Sequence, residues 1–238
     1  MVNELVPYLD LRGFGPMLLQ GTWITLKLSV LSLILSIGLG LLGASAKLSS
    51  LAILRIPATL YTTLIRGVPD LVLMLLIFYS LQGWLSSLTD AMGWDYIDVD
   101  PFVAGIATLG FIYGAYFTET FRGAILSVPR GQLEAATAYG LGRFQRFVFV
   151  TFPQMMRFAL PSLGNNWLVL LKATALVSII GLTDVVKVAQ DAGKATYEML
   201  FFLVLAALLY LAITTASNTV FRWLEVRYNL GVKGHSHD

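Results

Sequence analysis

Four residues inside strongly apolar runs carry the chemistry this chain has to offer: Arg66, Asp70, Tyr116 and Glu119. Ionisable groups at membrane depth are costly and usually face a bundle interior or a cavity. Asp70 falls about ten residues into its run, roughly 15 Å at 1.5 Å per residue and so near mid-depth. Its carboxylate suits a guanidinium or an ammonium, or else pairs with Arg66 four residues earlier. Glu119 lies eighteen residues into the next run, with Tyr116 at i−3 on the same face. A carboxylate beside a ring is a reasonable pair for a cation, unless Arg122 at i+3 neutralises it. Arg66 in turn suits a carboxylate. All of this is recognition chemistry, and no catalytic residue is expected. There are no cysteines, and no His–acid cluster lies within the apolar runs, so a membrane enzyme has little to work with. His235 and His237 have no further ligands nearby in sequence and read as part of a tail, so no metal site is expected.

The elements that must position these residues follow from composition. Of 238 residues, 57% are hydrophobic and 13% charged, and the mean hydropathy is +0.75. A soluble domain would carry nearly twice that charged fraction. The N-terminus holds Glu4, Asp10 and one base, Arg12, which is not the basic start of a cleaved signal peptide. A hydrocarbon core of roughly 30 Å needs about 20 apolar residues in a helix, and five runs qualify: about 22–46, 60–84, 101–121, 160–182 and 199–221. Between them lie a short loop (47–59), an acidic loop (85–100), a basic segment (122–159) and a polar loop (183–198). Cytoplasmic loops hold the excess of Lys and Arg. One side collects Lys47, Arg55, Arg122, Arg130, Arg143, Arg146, Arg157, Arg222, Arg227 and Lys233, whereas the other has Arg12, Lys187 and Lys194 among nine acids. The N-terminus is therefore expected outside, and the basic segment and C-terminus inside. Lys27 and Lys172 are expected to snorkel or to pair with a neighbouring helix. Gly38, Gly40 and Gly43 invite close helix packing.

The basic segment carries a second kind of chemistry, docking. Glu134-Ala135-Ala136 is followed by Gly140 and then by Pro153. Gly123 is expected to end the third span, and Pro129 to set a bend before a short helix at 132–139. Gly140 and Gly142 allow the positive φ of a sharp turn. A second short helix at 143–151 holds Phe144, Phe147 and Val148 at helical spacing. These apolar residues either meet a partner or pack beneath this chain's own spans. Glu134 near a helix start is a favourable cap as well as a docking residue. The chain has no G-x-x-x-x-G-K-[ST] loop, so any ATP chemistry must be borrowed.

The spacing E-A-A-x3-G resembles the EAA loop of bacterial ABC importer permeases, with Val150 and Phe152 where Ile and Leu are more usual. Arg66-Gly67-Val68-Pro69, Gly114-Ala115-Tyr116 with Glu119 and Arg122-Gly123, Leu160-Pro161 with Gly164-Asn165-Asn166, and Leu171-Lys172 with Leu176 resemble its polar amino acid subfamily. The likeness covers about residues 20–190. Thr62 to Asp70, Asp98-Val99-Asp100-Pro101 and Gly164 to Trp167 are most similar to the Q-type subunits of histidine/lysine/arginine/ornithine importers, with arginine/ornithine permeases as near relatives. Asp70 departs from the general subfamily, which has an apolar residue there.

The resemblance implies an all-α integral membrane protein with five transmembrane helices, a type I importer permease fold and cytoplasmic coupling helices, in a single domain over 1–238. It implies a bacterial inner-membrane subunit that moves cationic or polar amino acids by alternating access. Glu134, Ala135, Ala136, Gly140 and Pro153 would couple to the ATPase, and Asp70, Glu119, Tyr116 and Arg66 would meet substrate. The implied partners are a homologous M-type permease subunit, two ATPase subunits that bind ATP and Mg2+, a periplasmic binding protein, and membrane lipid, with no nucleic acid. Other cargo, such as glutamine or opines, and a secondary transporter are the alternatives. A secondary transporter has no use for such a loop, and no inverted repeat is visible.

Overall fold

The computed structural model describes residues 11–229, and these are helical apart from short connections. Glu4, Asp10, Lys233 and the His235–His237 pair lie outside the described residues. After a short turn at Leu11–Gly13 come α1 (Gly15–Leu48), α2 (Ala52–Gly67), α3 (Asp70–Met92), α4 (Pro101–Leu126) and α5 (Arg130–Ala138). Next is α6, a continuous run over Arg143–Ile180 that contains a π-helical turn at Phe147–Thr151 and ends in 3-10 geometry at Thr174–Ile180. Then follow α7 (Val185–Thr196) and α8 (Met199–Asn229). Five of them, α1, α3, α4, α6 and α8, are long and apolar enough to cross a membrane.

The centre of the bundle is α4, whose buried residues span its whole length, from Ala104 to Ala124. Asp100 caps it by accepting from Val103 N–H at 2.9 Å, and Pro101 occupies the first turn, where no backbone donor is needed. Its most extensive partner is α1. Glycines on both helices allow the approach. A Cβ on Gly40 would fall 2.6 Å from Phe117 Cβ, one on Gly43 would overlap Thr118 Oγ1, and one on Gly110 would overlap Leu35. Gly38, by contrast, has nothing within 4 Å of such an atom and takes no part in the seam. Ser36 Oγ reaches across to Gly110 O at 3.3 Å.

Several elements differ from the sequence expectation. The run expected as one span over 60–84 is two helices, because Pro69 lacks an N–H and forces Val68 into extended backbone (φ −116°, ψ 140°). The membrane-length helix begins only at Asp70. The helix α4 continues through Gly123 to Leu126. The second short helix of the basic segment is not separate, since it forms the first turns of α6. Pro153 does not end it, because it sits at the second residue of the α-helical stretch Phe152–Ala173. The polar loop at 183–198 is largely α7, an amphipathic helix that buries Val185, Val188, Ala189 and Ala192. Asp184 caps it through Lys187 N–H at 2.9 Å.

Candidate functional site

The break between α2 and α3 organises the first site. Both helix ends leave backbone groups without intrahelical partners, and such backbone is tolerated at membrane depth only where protein or a cavity surrounds it. Asp70 lies in the first turn of α3, where a negative charge complements the helix dipole. Its Oδ2 accepts from Tyr113 O–H at 2.8 Å. Tyr113 is buried, and it stacks on Tyr116 with ring centroids 5.5 Å apart. The Arg66 guanidinium lies 5.5 Å over the Tyr116 ring. Tyr113 is twelve residues beyond Pro101, roughly 18 Å along α4, so the cluster sits near mid-depth of the bundle.

Glu119 is one helical turn further along α4. Its carboxylate accepts from Lys47 Nζ, and Arg122 Nη1 stands 3.7 Å from its second oxygen. Lys47 Nζ also donates to Thr62 Oγ1 at 2.8 Å, which joins α1, α2 and α4. Lys47, Thr62, Arg66, Tyr116 and Glu119 share the wall of an open cleft of about 450 Å³.

The four residues singled out from sequence are thus neighbours, arranged differently from the expectation. Asp70 and Arg66 are not one turn apart on a single helix. The Val68–Pro69 break separates them, and the hydrogen-bond partner of Asp70 is Tyr113. Tyr113 and Lys47 were the missing members. Tyr113 had a signal, since it precedes Tyr116 by three residues and Tyr116 precedes Glu119 by three. Lys47 had none, because nothing in the local pattern connects residue 47 with residue 119. Of the two other lysines in apolar surroundings, Lys27 lies 6.0 Å over the Trp23 ring and 5.8 Å over that of Phe102. Lys172 is exposed on the α6 surface.

The second site is the groove between α5 and the start of α6. Leu133, Glu134, Thr137, Arg143, Arg146, Phe147 and Thr151 enclose about 480 Å³. The helix α5 ends in a Schellman arrangement, with Leu141 N–H donating to Ala136 O at 3.1 Å and Gly140 N–H to Thr137 O at 3.0 Å. Gly140 has φ +78°, as that ending requires. Gly142 does not share this geometry. It has φ −63° and precedes α6, with its N–H held by Gln145 Oε1 at 3.1 Å. Arg146 donates to Thr137 Oγ1 and so fixes the angle of the groove. Glu134 and Ala135 face outward, whereas Ala136 is buried against its own chain. Phe144 is 78% exposed and Phe149 70%, so this end carries uncovered aromatic surface. Pro153 is exposed beside the groove.

Residues 17–230 match the family described as the binding-protein-dependent transport system inner membrane component. The chain belongs to this family. It is 59% identical to the histidine/lysine/arginine/ornithine transport system permease protein HisQ of Salmonella typhimurium, over 94% of this chain and 98% of that one. The octopine transport system permease protein OccQ of Rhizobium radiobacter is 36% identical over 95% of this chain and 98% of its own. Among solved structures, an amino acid ABC transporter with histidines superposes with a TM-score of 0.77 at 31% identity, covering 93% of this chain and 99% of that one. An inward-facing methionine transporter, MetNI, shares the fold with a TM-score of 0.63 at 20% identity, over 87% of this chain and 95% of that one. The resemblance carried by the EAA spacing therefore holds. The chain is a multi-pass permease subunit of an ABC importer with the type I fold, and ATP and Mg2+ belong to a partner ATPase.

Proposed function

We propose that this subunit passes cationic amino acids (histidine, lysine, arginine and ornithine) through the bacterial inner membrane, with its N-terminus on the periplasmic side and its C-terminus in the cytoplasm. Its partners are a homologous M-type permease subunit, two ATPase subunits and a periplasmic binding protein. The observation that carries the reading is the acid–aromatic–guanidinium cluster of Asp70, Tyr113, Tyr116 and Arg66 at a helix break, in a chain so similar to a permease of that specificity. Asp70 offers its other carboxylate oxygen to a cationic side chain, and Tyr116 offers a ring face. Arg66 and the unpaired amides at the start of α3 suit the α-carboxylate. Glu119, at the neighbouring turn, offers a second carboxylate that the cationic side chain meets along the same path.

The coupling runs through α6. An ATPase surface seats on Glu134, Ala135 and the exposed aromatic side chains, with Ala136, Gly140 and Pro153 shaping the groove. One continuous helix, Arg143–Ile180, carries its movement into the bundle. Asn166 Nδ2 donates to Thr120 Oγ1 at 3.0 Å, which ties that helix to α4 beside Glu119. Rocking of α6 therefore displaces the helix that holds both tyrosines.

The test is transport by the intact complex in vesicles, with the binding protein saturated so that upstream selection is constant. Asp70→Asn keeps the shape and the acceptor for Tyr113 while removing the charge. Losing one charge-assisted contact, worth roughly 1.5–3 kcal/mol, lowers arginine and ornithine transport by about tenfold or more, and neutral histidine transport by less. An equal loss for every cargo would assign Asp70 a structural role with Tyr113. Undiminished arginine transport would exclude both roles.

A further inference from the structure

Lys47 stands in the last turn of α1, yet its ammonium is not in solvent. The side chain is 11% exposed and reaches across to α2 and α4. It lands on a carboxylate, Glu119, and a hydroxyl, Thr62, in a cleft that also carries the Tyr116 ring. That donor and acceptor set is what a receptor for an ammonium or guanidinium group consists of. The group occupying it is chemically the side-chain end of lysine, delivered by the protein itself. Three features make the occupant exchangeable. The cleft is open, so another cation can reach Glu119. Lys47 is carried on a flexible four-carbon stem at a helix end, so it can withdraw toward solvent without moving backbone. Arg122, at 3.7 Å and with its side chain 40% exposed, contacts Glu119 too loosely to replace it.

Charge balance points the same way. Lys47 and Arg122 face Glu119, and Arg66 lines the same cleft over the Tyr116 ring. A cationic cargo that enters beside a seated Lys47 adds an uncompensated positive charge, whereas one that displaces Lys47 leaves the local charge unchanged. We propose that Lys47 is a tethered stand-in for cationic cargo. It fills the Glu119–Thr62 subsite when cargo is absent, and the side-chain ammonium or guanidinium of an arriving amino acid displaces it. The inference rests on the cationic amino acid reading above and adds a residue that sets the affinity and selectivity of the same cleft. A tethered competitor acts at a high effective concentration, so it weakens cargo binding and holds three helices together until cargo arrives.

The experiment measures equilibrium binding of radiolabelled arginine, lysine and, as a neutral control, glutamine to the purified complex in lipid nanodiscs. Lys47→Gln removes the competitor, so half-saturation for arginine and lysine falls at least fivefold while that for glutamine is unchanged. Lys47→Arg keeps a tethered cation and stays close to the unsubstituted complex. If Lys47→Gln does not assemble, Lys47→Met provides the second arm, because it keeps an unbranched apolar stem without the charge and shifts half-saturation in the same direction. Unchanged or weaker arginine binding in the assembled variant overturns the proposal and leaves Lys47 as a structural brace. Transport by the unsubstituted complex separates the two readings. If vesicles containing it import no cationic amino acid, the functional assignment itself fails. If they do import it and Lys47→Gln binds no tighter, only the stand-in role fails.

Discussion

Along the α1–α4 seam, a Cβ on Gly40 would stand 2.6 Å from Phe117 Cβ, whereas in the α5–α6 turn a Cβ on Gly140 would meet nothing within 4 Å. The same residue type answers opposite demands. In the seam, backbone must approach backbone, and the φ values are ordinary. In the turn, space is free and the left-handed φ of +78° is the constraint. Close approach matters inside a membrane because helix association there relies on packing and not on burial from water. The turn sits at the ATPase contact proposed above, and its geometry sets the groove. One region therefore holds the subunit together and the other, on the proposed coupling route, passes on force, so substitutions should separate assembly from transport.

The largest effect is expected at Gly40. Its neighbours are Phe117 Cβ and the backbone of Phe117 and Thr118, none of which can rotate away. Even Gly40→Ala must part the two helices, at a cost at or above the usual 1–3 kcal/mol of overpacking, and Gly40→Leu should yield no folded subunit. Thermal unfolding in detergent and the amount of inserted protein provide the measurement. Normal stability of Gly40→Leu would show that the seam is not the structural core.

Gly140→Leu comes next and affects a different quantity. Left-handed backbone costs an L-residue roughly 1–2 kcal/mol, so the turn should rearrange while the spans remain inserted. Transport should be lost and ATPase attachment weakened, as a pull-down of the complex would detect. Gly140→Asn should retain more transport than Gly140→Leu, because Asn tolerates this conformation. Equal transport by the Asn and Leu variants would indicate that φ is not what glycine provides here.

How far the sequence could reveal this contrast depends on the range of the forces involved. The five spans and the helix–turn–helix of the basic segment were legible because hydropathy and turn chemistry are local. The positive φ at Gly140 was legible for the same reason. The equal expectation for Gly142 failed because that residue begins a helix instead of ending one. Gly38 reads like Gly40 in a glycine-rich run, and only the position of α4 distinguishes them. The Val68–Pro69 break was also written locally, in Pro69, but the apolar run across it concealed the boundary. Likewise, the period of Val185, Val188, Ala189 and Ala192 marked α7, although its polar residues suggested a loop. The Lys47–Glu119 and Asp70–Tyr113 contacts are pairings across helices, which no local pattern encodes.

At its far end the seam region meets a titratable group. A Cβ on Gly21 would stand 3.0 Å from the backbone of Asp184, which places α1 tightly against the start of α7. Asp184 is fully buried. One carboxylate oxygen caps α7, and the other has no hydrogen-bond partner among the described residues. Burial raises its carboxyl from the ordinary 3.8 to about 6, against the lowering effect of backbone N–H donors including that of Lys187. Because the folded-state value is above the unfolded one, the folded protein holds the proton more tightly. Stability is then highest below about pH 4, falls as pH rises through about 6 and stays lower above that. The full penalty is up to about 3 kcal/mol at 1.36 kcal/mol per pH unit. Asp184→Asn keeps a capping oxygen and removes the charge. It should flatten the fall in melting temperature between pH 4 and pH 7 and leave the pH 7 value equal to or above that of the unsubstituted chain. An unchanged pH profile would mean that Asp184 ionises without cost.

The smallest effect, expected at Gly38, defines the comparison most sharply. It lies two residues from Gly40 on the same helix, is exposed, and a Cβ there would meet nothing within 4 Å. Its φ is not in the left-handed region, since among the described residues the glycines with positive φ are Gly13, Gly93, Gly140 and Gly181. Neither reason for glycine applies there. Gly38→Ala should therefore leave transport unchanged and stability within about 0.5 kcal/mol of the starting value or slightly higher, because alanine is the better helix former. Measured beside Gly40→Ala under identical conditions, it separates helix propensity from close approach. A loss at Gly38 as large as that at Gly40 would mean that a second surface covers this face of α1. The homologous permease subunit proposed above would then be the first candidate, and crosslinking from position 38 would identify it.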